Sequence, residues 1–179
     1  KNFNRLEFVD AIKDYEKLIS KGKANASVYK QLAVANYNIS NTEASAGYFK
    51  QYLDNTEDAS AEDYFKYAQI LLSNENYDEA KSAFKDFASR APNDSRAKAF
   101  TSNPNFVQDL SDKEPNYDAQ AMNLNSEYSD FGAYEYDTYL YFVSARNKSR
   151  RTYGWNEQPT TDIYKAENIA GTFKNEKML

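Results

Sequence analysis

Cysteine and histidine are both missing from this chain of 179 residues. Without cysteine there is no disulfide and no thiolate metal site, so the redox compartment stays open. Without histidine there is no Ser-His-Asp or Cys-His machinery and no ordinary zinc site. Glycine is scarce: the five present are too scattered to form a phosphate-cradling loop. Long apolar runs are lacking too. The longest lie around Ile70–Leu72 and Leu140–Val143, far short of the roughly 20 residues that span a bilayer as a helix. Positive charge is in deficit, with 22 Lys+Arg against 27 Asp+Glu and a net charge of -5. The deficit sits in the second part, where 8 cations face 12 carboxylates from Asn105 onward, against 14 and 15 before it. Such a chain is a poor nucleic-acid binder, because neutralising phosphates takes clustered Lys and Arg. No cofactor site and no metal site are expected, and neither is direct membrane insertion.

What the chain has in quantity is aromatic rings, 16 Tyr and 11 Phe. They supply core volume and argue against disorder. The organising stretch runs from Glu62 to Pro92. Tyr64, Tyr67, Ala68 and Leu71 form one stripe of a 3.6-residue helix, and Ser73-Asn74-Glu75-Asn76 interrupts it. The stripe resumes at Tyr77, Ala80, Phe84, Phe87 and Ala88 and stops before Pro92. Ala68 and Ala80, small among large neighbours, suit the close crossing of two antiparallel helices. The pattern resembles a tetratricopeptide repeat. It recurs: Ala11, Ser45 and Ala80 are spaced by 34 and 35 residues, as are Tyr15, Phe49 and Phe84. Tyr29, Leu32 and Ala33 anticipate Tyr64, Tyr67 and Ala68 by 35. A period near 34 residues belongs to this repeat type, whose hairpins stack because one alone cannot bury both faces.

In chain order, Phe3 to Lys21 reads as the trailing helix of a first repeat whose leading helix lies upstream, with Gly22 as its stop. Asn25 or Ser27 caps a helix over Val28 to Asn38. After Ser40-Asn41-Thr42 another runs to about Asp54, with Gly47 inside it permitting close packing. Asp58 and Ser60 are cap candidates for the central repeat. A short helix from Asn93-Asp94-Ser95 to Phe100 seals the array. From Thr101 to Asn116 no period is sustained, and Pro104 and Pro115 punctuate a linker. From Tyr117 the period becomes two. Strands are predicted over 117–124, Gly132–Tyr136, Tyr139–Ser144 and Asp162–Glu167, with a tight turn at Asp137-Thr138 and a long loop from Asn147 to Pro159. Tyr139–Ser144 is apolar or aromatic on both faces, which predicts a central strand covered on both sides. Four short strands of this kind are similar to one blade of a propeller.

The motifs Asn125-Ser126-x-x-Ser129-Asp130-Phe131-Gly132, Phe142-x-Ser144-x-Arg146, Trp155-Asn156 and Asp162-x-Tyr164 resemble the first blade of the WD-like propeller in a family of Bacteroidota envelope proteins. In that family a tetratricopeptide array precedes the propeller, a small β-sandwich and an OmpA-like peptidoglycan-binding domain. The resemblance implies an α+β multidomain chain: array over 1–104, linker over 105–116, antiparallel first blade of a β-propeller over 117–167, and 168–179 as a connector to further blades. It also implies a periplasmic, non-enzymatic scaffold held at an outer-membrane barrel of the type IX secretion or gliding-motility systems. Peptidoglycan binding would belong to the OmpA-like domain, and no residue of this sequence carries it. The competing reading is an accessory, non-catalytic region of a propeller-containing envelope enzyme.

Ser129-Asp130 with Arg146 reads as structural, an Asp accepting backbone N–H groups in a turn and bridged by the guanidinium. Glu57-Asp58, Glu62-Asp63 and Asp78-Glu79 stand at helix starts, where carboxylates complement the macrodipole. Partner-binding candidates come from two places. The first is the face presented by the leading helices: Ser27, Lys30, Val34, Tyr37 and Asn38, then Glu62, Phe65, Gln69, Leu72 and Ser73. Among these Val34, Phe65 and Leu72 are apolar, which fits either a bound segment or packing against neighbouring turns. The second is the cationic run Arg146, Lys148, Arg150 and Arg151. It is either a solvated loop tip or a contact for an acidic partner, with Tyr153 and Trp155 as anchors.

Overall fold

The computed structural model describes residues 2–113 and 117–179. The 114–116 end of the expected linker lies outside the described residues. The chain divides into two compact units, one ending and the other beginning within that gap.

The first unit is helical. Its elements are α1 (Phe8–Ser20), α2 (Ala26–Asn38), α3 (Thr42–Asp54), α4 (Ala61–Ser73), α5 (Tyr77–Arg90), α6 (Ser95–Ser102) and α7 (Phe106–Ser111). Helices α2 with α3 and α4 with α5 form two hairpins, α1 packs on the first and α6 on the second. The small residues mark the crossings. Ala33, Ser45, Ala68 and Ala80 are sealed from solvent, and the Ser45 hydroxyl donates to the Ala33 carbonyl of the facing helix at 2.7 Å. Only a small side chain allows a helix backbone to be reached this closely. Phe49, Tyr52, Tyr67, Phe84, Phe87 and Phe100 fill one continuous core across both hairpins.

Local capping follows the sequence. Asn25 caps α2 through the Val28 N–H, and Ser60 with Asp63 forms a reciprocal capping box at the start of α4. Three expectations change. The first helix does not start at Phe3: a 3-10 turn over Phe3–Arg5 ends at Leu6, whose φ of 60 breaks the helix before α1. Gly47 does not serve close packing, since a Cβ there would meet nothing within 4 Å. The expected linker contains α7, whose Phe106 packs edge-on against Phe84 with ring centroids 6.0 Å apart.

The second unit is a four-stranded antiparallel meander of β1 (Asp130–Tyr136), β2 (Tyr139–Ser144), β3 (Asp162–Ile169) and β4 (Thr172–Met178), in spatial order β1-β2-β3-β4. Tyr136 pairs with Tyr139 across a two-residue turn at Asp137-Thr138. Ile169 pairs with Thr172 across Ala170-Gly171, both at positive φ, as tight hairpins require. Gly132, at φ 65, carries the bulge that shifts register between Phe131 and Tyr134.

Here too the expected boundaries move. Residues 117–124 are not a strand: their Ala, Asn and Gln have little strand preference, and only Leu124 is buried, against Leu140, Phe142, Tyr164 and Ala166. The fourth strand is instead β4, within the expected connector. The β2 strand is not covered on both sides. Leu140, Phe142 and Ser144 are buried while Tyr139, Tyr141 and Val143 alternate with them only half-buried.

Candidate interaction surfaces

The structure divides the array residues expected to face a partner. Lys30 is engaged internally. Its ammonium lies 2.7 Å from Asp63 Oδ1, joining α2 to α4 of the next hairpin. The Asp63 carboxylate also accepts from the Tyr52 hydroxyl at 3.0 Å and from the Ser60 hydroxyl and N–H at 2.8 and 3.0 Å. Burial raises the Asp63 pKa, but the hydrogen bonds from Lys30 and Ser60 outweigh it and hold the carboxyl below its ordinary value. A buried carboxylate with this many donors is a staple between repeats. Phe65 is likewise committed: its ring lies 5.8 Å from Phe84 and 5.0 Å from Phe87, beneath the Arg96 guanidinium at 4.2 Å. Val34 and Leu72 are half-buried against the core. Tyr37, Asn38 and Gln69 stand on the surface, the Asn38 amide donating back to the Val34 carbonyl at 2.7 Å.

The cationic run is mostly neutralised. Arg146 is the hub of the sheet unit. It donates to Asp130 at 3.0 Å, to the Leu124 carbonyl at 2.6 Å and to Ser144 at 2.8 Å, near the rings of Phe142 and Tyr164. Burial raises the Asp130 pKa, but hydrogen bonds from Ser144, Ser126 and Arg146 outweigh it and bring it down to about 2. The structural reading of Asp130 and Arg146 therefore holds. Lys148 pairs with Glu127 at 2.9 Å, and Arg150 grips Asp162 through Nε and Nη2. Among the described residues only Arg151 of the four makes no ion pair. A wholly free basic patch for an acidic partner is thus not what the fold presents. Tyr153 and Trp155 are exposed and line a cleft of about 230 Å³ with Phe131, Ser129, Pro159 and Thr161.

That cleft adjoins a surface the sequence did not single out. Strand pairing puts Phe131, Val143 and Ile163 in one cross-strand row, and Tyr134 with Tyr141 and Tyr136 with Tyr139 beside it on the same face. Phe131 and Ile163 are each 55% exposed, Tyr134 and Tyr136 each 65%. Lys165 reaches over the Tyr139 ring at 4.5 Å. The other face holds the small core of Leu124, Leu140, Phe142, Tyr164 and Ala166. This sheet buries one face and offers the other. Strict alternation in β2, combined with the bulge at Gly132, is the signal that could have identified it; the glycine shifts the phase of β1 and hides the pattern.

Among the described residues no group of His, Cys, Asp or Glu is arranged to hold a metal ion, and no helix is long and apolar enough to cross a membrane.

No protein-family model matches the sequence, and no curated protein matches it. Among solved structures, the C-terminal part of a TPR repeat-containing protein from Cytophaga hutchinsonii is similar at 20% identity with a TM-score of 0.46. The similarity covers 50% of this chain and 35% of that one, about a third of the solved chain's length.

Proposed function

We propose that the protein is a non-enzymatic scaffold of the periplasm, binding an outer-membrane complex of the type IX secretion or gliding-motility machinery. In this reading the helical array supplies the docking surface and the sheet is one blade of a β-propeller. Anchoring to peptidoglycan would be the task of an OmpA-like domain outside this sequence.

The observation that supports it most is the one-sided sheet. A meander of four antiparallel strands with one buried face and one aromatic face is what a propeller blade requires, since each blade packs against its neighbours. Exposed apolar rows of this size on a folded unit mark surfaces that become covered. The array contributes a large contact area, and its surface residues Tyr37, Asn38 and Gln69 lie on the leading helices α2 and α4. The assignment to envelope machinery comes from the resemblance of the blade motifs.

The test is affinity purification of the tagged protein from membranes of its host, with the bound proteins identified by mass spectrometry. An outer-membrane β-barrel recovered in stoichiometric amount, and lost on Tyr37→Ala with Gln69→Ala, supports the proposal. Recovery of the intact protein in the cytosol contradicts it. So does a gene deletion that leaves secretion, adhesion and gliding all unchanged.

A further inference from the structure

The array carries a second groove, on the side of its trailing helices. Between α3 and α5 two adjoining cavities, of about 520 and 290 Å³, share Lys50, Tyr67 and Glu79 and form one furrow. One wall is the α3 stripe Glu43, Ala46, Gly47, Lys50 and Asp54; the other is the α5 stripe Glu79, Ser82, Ala83 and Asp86. Tyr64, Tyr67 and Leu71 of α4 make the floor. Tyr67 and Leu71 lie on the side of α4 away from the exposed Gln69, so this furrow is distinct from the face carrying Tyr37 and Gln69. From Glu43 to Asp54 it follows about three turns of helix, roughly 16 Å at 1.5 Å per residue.

Two features define what fits it. The wall opens at Ala46 and Gly47, where a Cβ on the glycine would meet nothing within 4 Å. A helical glycine costs stability relative to alanine, and here no close neighbour requires it. The charge is one-sided. Two cations stand at the furrow: Arg90, stacked on the Tyr64 ring of the floor at 4.1 Å, and Lys50, 3.6 Å from Glu79, whose carboxylate also accepts from the Tyr67 hydroxyl at 2.7 Å and the Asn76 amide at 2.9 Å. That leaves Glu43 and Asp54, which make no ion pair among the described residues, and Asp86, whose only one is a long contact of 3.9 Å to Arg90. Carboxylates therefore line both walls above an apolar floor.

We propose that this furrow docks a cationic amphipathic segment of a partner protein. Its lysines or arginines would meet Glu43, Asp54 and Asp86, and an apolar side chain would enter beside Gly47 onto Tyr67 and Leu71. Opposite charge steers and registers such a segment, and the apolar contact holds it.

The experiment uses the whole chain and a fluorescent 16-residue peptide of Leu, Ala and Lys, with lysines three and four residues apart. Binding is followed by anisotropy. Saturable binding is expected to weaken at least tenfold in Gly47→Leu, which fills the furrow without straining the helix, and in Glu43→Gln/Asp54→Asn/Asp86→Asn. Melting temperatures should be unchanged or raised in Gly47→Leu. Glu57→Gln/Asp58→Asn/Glu75→Gln removes the same number of carboxylates elsewhere and should leave affinity within twofold. Absence of saturable binding overturns the proposal, as does full affinity in Gly47→Leu or equal loss in both charge sets. Tyr37→Ala/Gln69→Ala should bind the peptide normally, so failure here is separable from failure of the scaffold reading.

Discussion

The helical unit hides most of its aromatic rings, Tyr37 and Tyr77 excepted, and the sheet unit displays many of its own. Phe49, Phe84, Phe87 and Tyr67 are buried in the array, whereas Phe131, Tyr134, Tyr136 and Trp155 are exposed on the sheet. The chemistry of the side chains is alike; the difference is architectural. Each helical hairpin finds the next one in sequence, so the stripe of one repeat closes on the stripe of its neighbour. A meander has two faces, and among the described residues of the sheet unit Leu124 joins the buried core on one of them.

The largest effect should come from opening the closed side of this contrast. Phe49→Ala removes a ring packed between Tyr52 and Tyr67, with centroids 6.4 and 6.2 Å away. It should cost about 3–5 kcal/mol, read as a lower denaturation midpoint and loss of helical circular dichroism. Next is the staple between hairpins. Asp63→Asn deprives Lys30 of its counter-charge and should cost about 2–3 kcal/mol. Because the native carboxyl titrates below its unfolded value, its stabilisation is complete above the unfolded pKa of about 3.9 and fades as pH falls through the lower native pKa. Wild-type stability should therefore drop more steeply than that of Asp63→Asn below about pH 4, and the gap between them should narrow. Smallest is the effect on the open side. Tyr134→Ser with Tyr136→Ser should change unfolding free energy by no more than about 1 kcal/mol, while reducing binding of a hydrophobic fluorescent dye.

How far the sequence could be read follows the same divide. The array was legible because its period is carried by residues that are all buried in the same way: Ala33 and Ala68, Phe49 and Phe84, Ser45 and Ala80. Its caps at Asn25 and Ser60 were legible for the same local reasons that make them work. The sheet was legible at β1 from Gly132 onward and at β2 and β3, with the cleanest alternation in β2. Strand β4 (TFKNEKM) is a polar edge with one half-buried residue, Phe173, so no hydrophobic period announces it. Segment 117–124 alternates in polarity without forming a strand, because a period of two in small polar residues gives nothing to bury. The candidate contact residues were the least legible. Nothing local reveals that Lys30 is claimed by Asp63, 33 residues later, or Phe65 by Arg96, 31 residues later. The basic run at 146–151 reads as a patch until its carboxylate partners Asp130, Glu127 and Asp162 are brought to it by strand pairing.

The contrast between the units is tested most directly by residue-resolved tyrosine footprinting. Hydroxyl radicals would be applied to the purified chain and, separately, to the protein inside cells of its host, with oxidation read by mass spectrometry. Tyr67 should be protected in both states. Tyr134 and Tyr136 should be strongly oxidised in the purified chain and protected in the cell, as the proposed covering of the open face requires. Equal protection of all three in the purified chain, or unchanged oxidation of Tyr134 and Tyr136 in the cell, would contradict the proposal that this face is an interface.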